Sequence, residues 1–279
     1  MMLRGLVNKI IPFSSVDGPG NRTAIFFQGC NFDCKYCHNP ETINTCKACG
    51  TCAFVCPYGA VEFLGDSVKW DENKCKNCGL CLEKCKNNCG PRNKYMSVGE
   101  IIKEILKTKP FISGITVSGG ECTLQKDFLI DLFEKIKLLG LTIFIDTNGS
   151  LDFSKNPKLT ELMDMAMVDV KSFDNEEHKM LTKRNNDIVL KNVRYLASIN
   201  KLYEIRTVIV PDLLDNKNNV FEISKLIASL NPNIRYKLIK YRPMGIRKEK
   251  IESKIPTNEY MENLKNMALK NGCKNIIIL

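Results

Sequence analysis

The chain has 279 residues, 44% of them hydrophobic and 26% charged, enough to bury a core on the scale of one large domain or two small ones. That balance excludes disordered and fibrous architectures. A formal charge of +10 is spread over scattered lysines and arginines, so the expectation is a solvated surface biased toward acidic partners, with no nucleic acid bound.

Met1 to Phe13 carries Arg4 and Lys9 inside a short apolar stretch, and no run in the chain approaches the roughly 18 apolar residues of a membrane span. The chain is therefore expected in the cytoplasm, off the membrane, with reduced thiols. Short β-branched runs predict strands at Thr23 to Phe27, Gly114 to Ser118, Thr142 to Asp146, Ala166 to Val170, Tyr203 to Val210, Ile234 to Ile239 and Lys274 to Leu279. Amphipathic spacing predicts helices between them: Val98 to Lys107, Asp127 to Leu139, Ile188 to Ile199, Val220 to Leu230 and Asn258 to Lys270. Strand and helix in alternation mean parallel strands with helices outside, and about six repeats fall short of a full eight-unit barrel. The expected fold class is α/β, a partial (β/α)6 TIM-like barrel.

Fourteen cysteines are far more than packing needs, and twelve of them lie between Cys30 and Cys89. Cys30, Cys34 and Cys37 form a trio spaced x3 then x2, able to converge on one metal centre from a single loop. No cysteine completes it at matching spacing, so either a distant residue does or one metal corner stays open for a substrate. Cys46, Cys49, Cys52 and Cys56, followed by Pro57, reproduce the run that binds [4Fe–4S] clusters in bacterial ferredoxins. Cys75, Cys78, Cys81 and Cys85 repeat the spacing. In a two-cluster module each quartet lends its last cysteine to the other, which assigns Cys46, Cys49, Cys52 and Cys85 to one cluster and Cys75, Cys78, Cys81 and Cys56 to the second. Zinc ribbons are the alternative for paired cysteines, but they rarely use a third cysteine at x2. Cys89 is spare on this reading, and the isolated Cys122 and Cys273 are expected to be small buried hydrophobes.

The chain then divides into residues 1–44, the start of the barrel with the cysteine trio; 45–94, an inserted two-cluster ferredoxin-like domain; and 95–279, the remainder of the barrel. Such folds gather their chemistry at the C-terminal ends of the strands. There the sequence places Gln28, Gly29 and the trio, then Ser118 to Glu121, then Asp146 to Gly149, then Asp169 to Lys171. Inserted clusters beside the trio serve either as an electron wire or as a folding staple and partner platform.

These residues resemble the radical S-adenosylmethionine (SAM) enzymes, whose C-x3-C-x2-C loop holds a [4Fe–4S] cluster with one iron free of protein ligands. Ser15-Val16-Asp17-Gly18-Pro19-Gly20, Phe27-Gln28-Gly29-Cys30, Tyr36-Cys37-His38-Asn39, Ser118-Gly119-Gly120-Glu121, Asp146-Thr147-Asn148-Gly149 and Asp169-Val170-Lys171 are similar to the glycyl radical enzyme activating enzymes. The insertion looks like that of their dicluster members, and Val7 to Phe13 looks most like the YjjW-type subgroup.

The resemblance implies three [4Fe–4S] clusters and SAM, cleaved by one electron to a 5′-deoxyadenosyl radical that takes a hydrogen atom from a glycine Cα of a partner enzyme. It implies a flavodoxin or ferredoxin as electron donor. It also implies a cofactor site drawn from Asp17, Gly18, Pro19, Tyr36, His38, Gly119, Gly120, Glu121, Asp146, Asp169, Lys171 and Arg242. Gly119 and Gly120 would let the backbone approach the methionine amino group, Lys171 would pair with its carboxylate, and Tyr36 would lie beside the adenine. A monovalent cation would sit on Asp146, Thr147, Met167 and Asp169. Arg206 matches a family arginine on the fifth strand, Cys122 departs from the family pattern, and His178 is expected on a solvated polar helix. The incomplete barrel would leave a side opening for a macromolecular loop. The competing expectations are a radical SAM enzyme acting on a small molecule or peptide, and a cluster-binding adaptor without activity.

Overall fold

The structure is a computed structural model and describes residues 3–279. The chain opens with an antiparallel pair, β1 (Arg4–Ser14) and β2 (Arg22–Phe27). β1 was not among the expected strands. Its pairing with β2 shifts register between Val7 and Lys9 and again between Ile11 and Ser14, and these irregularities break the alternation that marks a strand.

After β2 the chain forms the cysteine loop and then the inserted segment, with α1 (Thr51–Phe54), the hairpin β3 (Val61–Phe63) and β4 (Val68–Trp70), and α2 (Leu80–Glu83). β5 (Lys94–Ser97) brings it back, antiparallel to β1. A capping box of Ser97 and Glu100 starts α3 (Val98–Leu106). Then come β6 (Gly114–Gly119), α4 (Lys126–Leu138), β7 (Thr142–Thr147), α5 (Pro157–Leu162), β8 (Met165–Asp169), α6 (Asn175–Thr182), α7 (Asp187–Ser198), β9 (Leu202–Ile209), α8 (Asn216–Leu230), β10 (Arg235–Lys240), α9 (Asn258–Lys270) and β11 (Ile276–Ile278).

The strands form one mixed sheet in the order β11-β10-β9-β8-β7-β6-β2-β1-β5, parallel from β2 to β11. The order has two edges, β5 and β11, so the barrel is partial. Outward-facing Ile25, Val117, Ile145 and Val168 pack under Leu129, Leu132 and Val193 of the helices to make the core. The inner face is polar: Thr116, Ser118, Asp146, Glu204, Arg206 and Lys237 follow the two-residue period into the lumen. Among the described residues no helix is long and apolar enough to cross a membrane.

Candidate active site at the strand ends

A cavity of about 310 Å³ opens at the C-terminal ends of the parallel strands, lined by Cys30, Cys34 and Cys37 on one side and by Gly119, Asp146, Asp169, Lys171 and Arg206 on the other. Gln28 clamps the base of the cysteine loop. Its amide donates to the carbonyls of Glu41 at 2.7 Å and Asn44 at 2.6 Å, while Asn8 donates to its oxygen at 2.8 Å. Two backbone bonds, Gly29 N–H to Thr42 and Cys30 N–H to Ile43, both 2.8 Å, close the loop.

Gly119 and Gly120 make room for the cysteine loop. A Cβ on Gly119 would stand 2.2 Å from the Phe27 carbonyl oxygen, and one on Gly120 would stand 2.3 Å from that of Gly29 and 2.6 Å from that of Thr42. Their bareness lets the end of β6 bond sideways to the cysteine loop, through Gly120 N–H to Phe27 at 3.0 Å and Glu121 N–H to Gly29 at 2.7 Å.

Glu121 lies buried beneath the cavity. Its carboxylate accepts from Thr123 N–H and Oγ1, from Thr147 Oγ1 and from Asn148 N–H, so it organises the turn after β7. Burial raises its pKa against these donors. The turn it holds returns to the cysteines, since the Asn148 side chain donates to Asn31 Oδ1 at 3.1 Å and reaches Cys30 Sγ at 3.9 Å.

The lumen below is a chain of alternating charge. Arg206 bonds Asp146 at 2.9 Å, Glu204 at 2.6 Å and the Met167 sulfur at 2.9 Å, while Lys171 pairs with Asp169 at 2.5 Å. Burial raises the Asp146 pKa although Arg206 opposes it. Burial works against the Lys171 charge as well, but Asp169 prevails and the ammonium is held well above its ordinary value. With Thr147 bonded to Glu121, all four groups expected to hold a monovalent cation are engaged by the chain itself, Asp146 and Met167 by Arg206 and Asp169 by Lys171.

The thiols are kept protonated by burial, which pushes Cys30 up to about 11, Cys34 up to about 12 and Cys37 upward too. Among the described residues no group of three or more histidine, cysteine or acidic side chains is close enough to hold a single metal ion. The trio instead borders a cavity with no fourth cysteine on it, a donor set that fits a polynuclear iron–sulfur centre with one open corner.

Tyr36 and His38 line this cavity; the Lys171 ammonium stands 5.8 Å from the Tyr36 ring centroid. Asp17, Gly18 and Pro19 do not. β1 runs antiparallel to β2, so the turn joining them sits at the N-terminal end of β2, where the Asp17 carbonyl accepts from Thr116 Oγ1 at 2.5 Å. Arg242 is exposed and contributes its carbonyl to His38 Nε2 at 3.1 Å. Two other arginines reach the cysteine loop: Arg247 donates to the Cys34 carbonyl at 2.8 Å and Asp33 at 2.5 Å, and Arg184 Nε donates to the Asn31 carbonyl at 3.1 Å.

His178 is fully buried, not solvated. The end of α6 receives the cysteine loop, with Asp33 N–H on Thr182 and Lys35 N–H on Leu181, both 3.0 Å, and this turns His178 edge-on against Phe32 at 5.5 Å. Desolvation lowers its pKa to about 4. Cys122 and Cys273 are buried as expected.

A partial parallel barrel with three cysteines in the loop after its first parallel strand, facing bare glycines and paired charges, defines a radical SAM protein, and residues 24–222 match the Radical SAM superfamily. The chain is 34% identical to the pyruvate formate-lyase-activating enzyme of Streptococcus mutans over 86% of its own length and 79% of the relative's. It is 31% identical to the trans-4-hydroxy-L-proline dehydratase activating enzyme of Clostridioides difficile, covering 90% and 91%. Among solved structures, a domain of pyruvate-formate lyase-activating enzyme from Bacteroides vulgatus superposes at TM-score 0.52 with 22% identity, over 60% of this chain and 99% of that one. QueE from Escherichia coli superposes at 0.54 with 11% identity, over 99% and 94%, a likeness of fold alone. The chain belongs to the glycyl radical enzyme activating enzymes.

Proposed function

We propose that this activating enzyme carries two further [4Fe–4S] clusters beside the one on Cys30, Cys34 and Cys37, and that an acidic one-electron carrier, a flavodoxin or ferredoxin, supplies them in the reducing cytoplasm. The observation that supports this is the sorting of the two quartets. Cys46, Cys49, Cys52 and Cys85 line one small cavity of the inserted segment, and Cys56, Cys75, Cys78 and Cys81 line another. This is the exchange of last cysteines that a two-cluster ferredoxin makes, and residues 45–94 form that domain.

When bound, the catalytic cluster supplies one electron to the sulfonium of SAM, and the resulting 5′-deoxyadenosyl radical removes a hydrogen atom from a glycine Cα of the partner enzyme. The chain's own residues hold the reactants. Cys30, Cys34 and Cys37 bind iron as thiolates, which requires their protons to leave. Lys171, now paired with Asp169, would hold the methionine carboxylate, Tyr36 and His38 would hold the adenine, and Asp146 would serve the methionine end. Asp146, Thr147, Met167 and Asp169 would hold a monovalent cation that balances the charge where Arg206 and Lys171 release them. The open side of the barrel admits the glycine-bearing loop, while the buried lumen keeps water from the radical.

Donor docking finds support in a second cleft of about 460 Å³, where Cys30 and Asn44 meet Asn88 of the inserted segment. Lys183, Arg184, Arg247 and Lys250 line it against one carboxylate, Asp33, a balance that suits an acidic surface. Iron and sulfide analysis of the anaerobically loaded protein tests the cluster count: about twelve irons per chain are expected, and about four would contradict it.

A further inference from the structure

Two buried N–H groups of the inserted segment have no partner. The indole Nε1 of Trp70 and the Nε of Arg92 are shut off from solvent and make no hydrogen bond, and both residues line the cavity of Cys56, Cys75, Cys78 and Cys81. An unpaired buried donor costs roughly 1–3 kcal/mol. An indole N–H can only donate, and the acceptor within its reach is the thiol sulfur of Cys75, a weak one until it becomes a thiolate. The guanidinium lies over the Trp70 ring, 5.5 Å from its centroid, and its Nη2 stands 3.7 Å from Cys75 Sγ, so the two side chains hold each other against the thiols.

The other cavity differs. Its side-chain donors are neutral, Thr51 Oγ1 at 3.4 Å and Asn87 Nδ2 at 4.0 Å from Cys49 Sγ, and its charged residue, Lys47, is exposed. It has a fifth sulfur instead, Cys89, buried and 3.6 Å from Cys85 Sγ.

Reduction adds one negative charge to a cluster, and hydrogen bonds to its sulfurs together with a nearby fixed cation favour that state. We propose that Trp70 and Arg92 are tuning donors to the sulfurs of the cluster on Cys56, Cys75, Cys78 and Cys81, holding it at a higher reduction potential than the cluster on Cys46, Cys49, Cys52 and Cys85. It therefore fills first when electrons arrive. The inference rests on the three-cluster reading above and adds an order to it.

An anaerobic redox titration of the fully loaded chain, followed by electron paramagnetic resonance, tests this, with Cys75→Ala and Cys46→Ala identifying each cluster's signal. Trp70→Phe and Arg92→Leu are each expected to lower the reduced-to-oxidised ratio of the Cys75 cluster about tenfold at a given potential, a shift of about 59 mV for one electron. Arg92→Lys, which keeps the charge, is expected to recover part of the Arg92→Leu shift. Iron content separates the possible failures. Variants with full iron and an unmoved Cys75 signal, or a shift confined to the Cys46 cluster, overturn the inference alone. A wild-type chain that loads only about four irons overturns the three-cluster reading and the inference with it. If Arg92→Leu loses iron, Trp70→Phe decides, because its ring preserves the packing.

Discussion

The Glu121 carboxylate receives the backbone N–H of Asn148 at 2.7 Å, and through that bond a residue at the end of β6 fixes the turn after β7. Three more donors, Thr123 N–H, Thr123 Oγ1 and Thr147 Oγ1, complete its shell. Glu121→Gln puts an NH2 where at least one donor now bonds, and is expected to destabilise the fold by about 1–3 kcal/mol. Glu121→Ala orphans all four donors and should cost more. Denaturant unfolding of the iron-free protein measures both, and a loss under about 0.5 kcal/mol, the range of ordinary surface changes, would contradict the assigned role.

Gly119 combines a φ of 124° with a neighbouring carbonyl that a Cβ would meet at 2.2 Å. Gly119→Ala is expected to cost about 3 kcal/mol or more and to part β6 from the cysteine loop. The readout is a fall in melting temperature together with incomplete cluster loading; a variant that melts and loads like the wild type would show that the close approach is dispensable.

Lys171 is the buried ammonium nearest the carboxylates of the site, bonded to Asp169 at 2.5 Å. Lys171→Met removes a charge-assisted bond worth about 1.5–3 kcal/mol, which corresponds to a roughly 10- to 100-fold rise in the Kd for SAM. Equilibrium binding to the oxidised holoprotein, where no cleavage occurs, checks this. An unchanged Kd would remove Lys171 from recognition.

Burial holds the Cys30 thiol at about 11 and the Cys34 thiol at about 12. At any pH below these values both are protonated, so iron must displace a proton from each, as from Cys37. Cluster loading is therefore expected to weaken as pH falls from 8 toward 6 and to release about eleven protons, one for each ligating thiol and three of them at the trio, read with an indicator dye in weak buffer. The iron-free fold shows the same linkage. Its thiol pKa values are raised above the ordinary 9.0, so the associated stability is present below pH 9.0 and lost as pH climbs through about 11. Loading independent of pH would contradict the burial of these thiols.

The parallel strands and the cysteine groups were legible because each rests on local pattern. α9 spans the residues its amphipathic spacing predicts, and β6 and β7 extend one residue beyond their β-branched runs. α8 begins four residues before its first apolar residue, since its polar opening turn is held by the Asp215 side chain accepting from Asn218 N–H, a cap that spacing does not reveal. The roles of Glu121, His178 and Arg247 were hidden for a different reason. Each acts across the chain, Glu121 on Thr147, His178 under Phe32 and Arg247 on Asp33, and no local periodicity encodes such contacts. The family motif around Asp17 was visible as sequence, but its place at the far end of β2 follows only from the antiparallel start of the sheet.

The central claim is that Cys30, Cys34 and Cys37 hold the cluster at which SAM is split. Anaerobic reduction of the loaded protein with dithionite in the presence of SAM, followed by chromatography for 5′-deoxyadenosine, tests it most directly. The wild-type chain should yield deoxyadenosine and Cys34→Ala none, although the latter keeps the irons of the inserted segment. Equal yields from both proteins, or none from the wild type, would contradict the account.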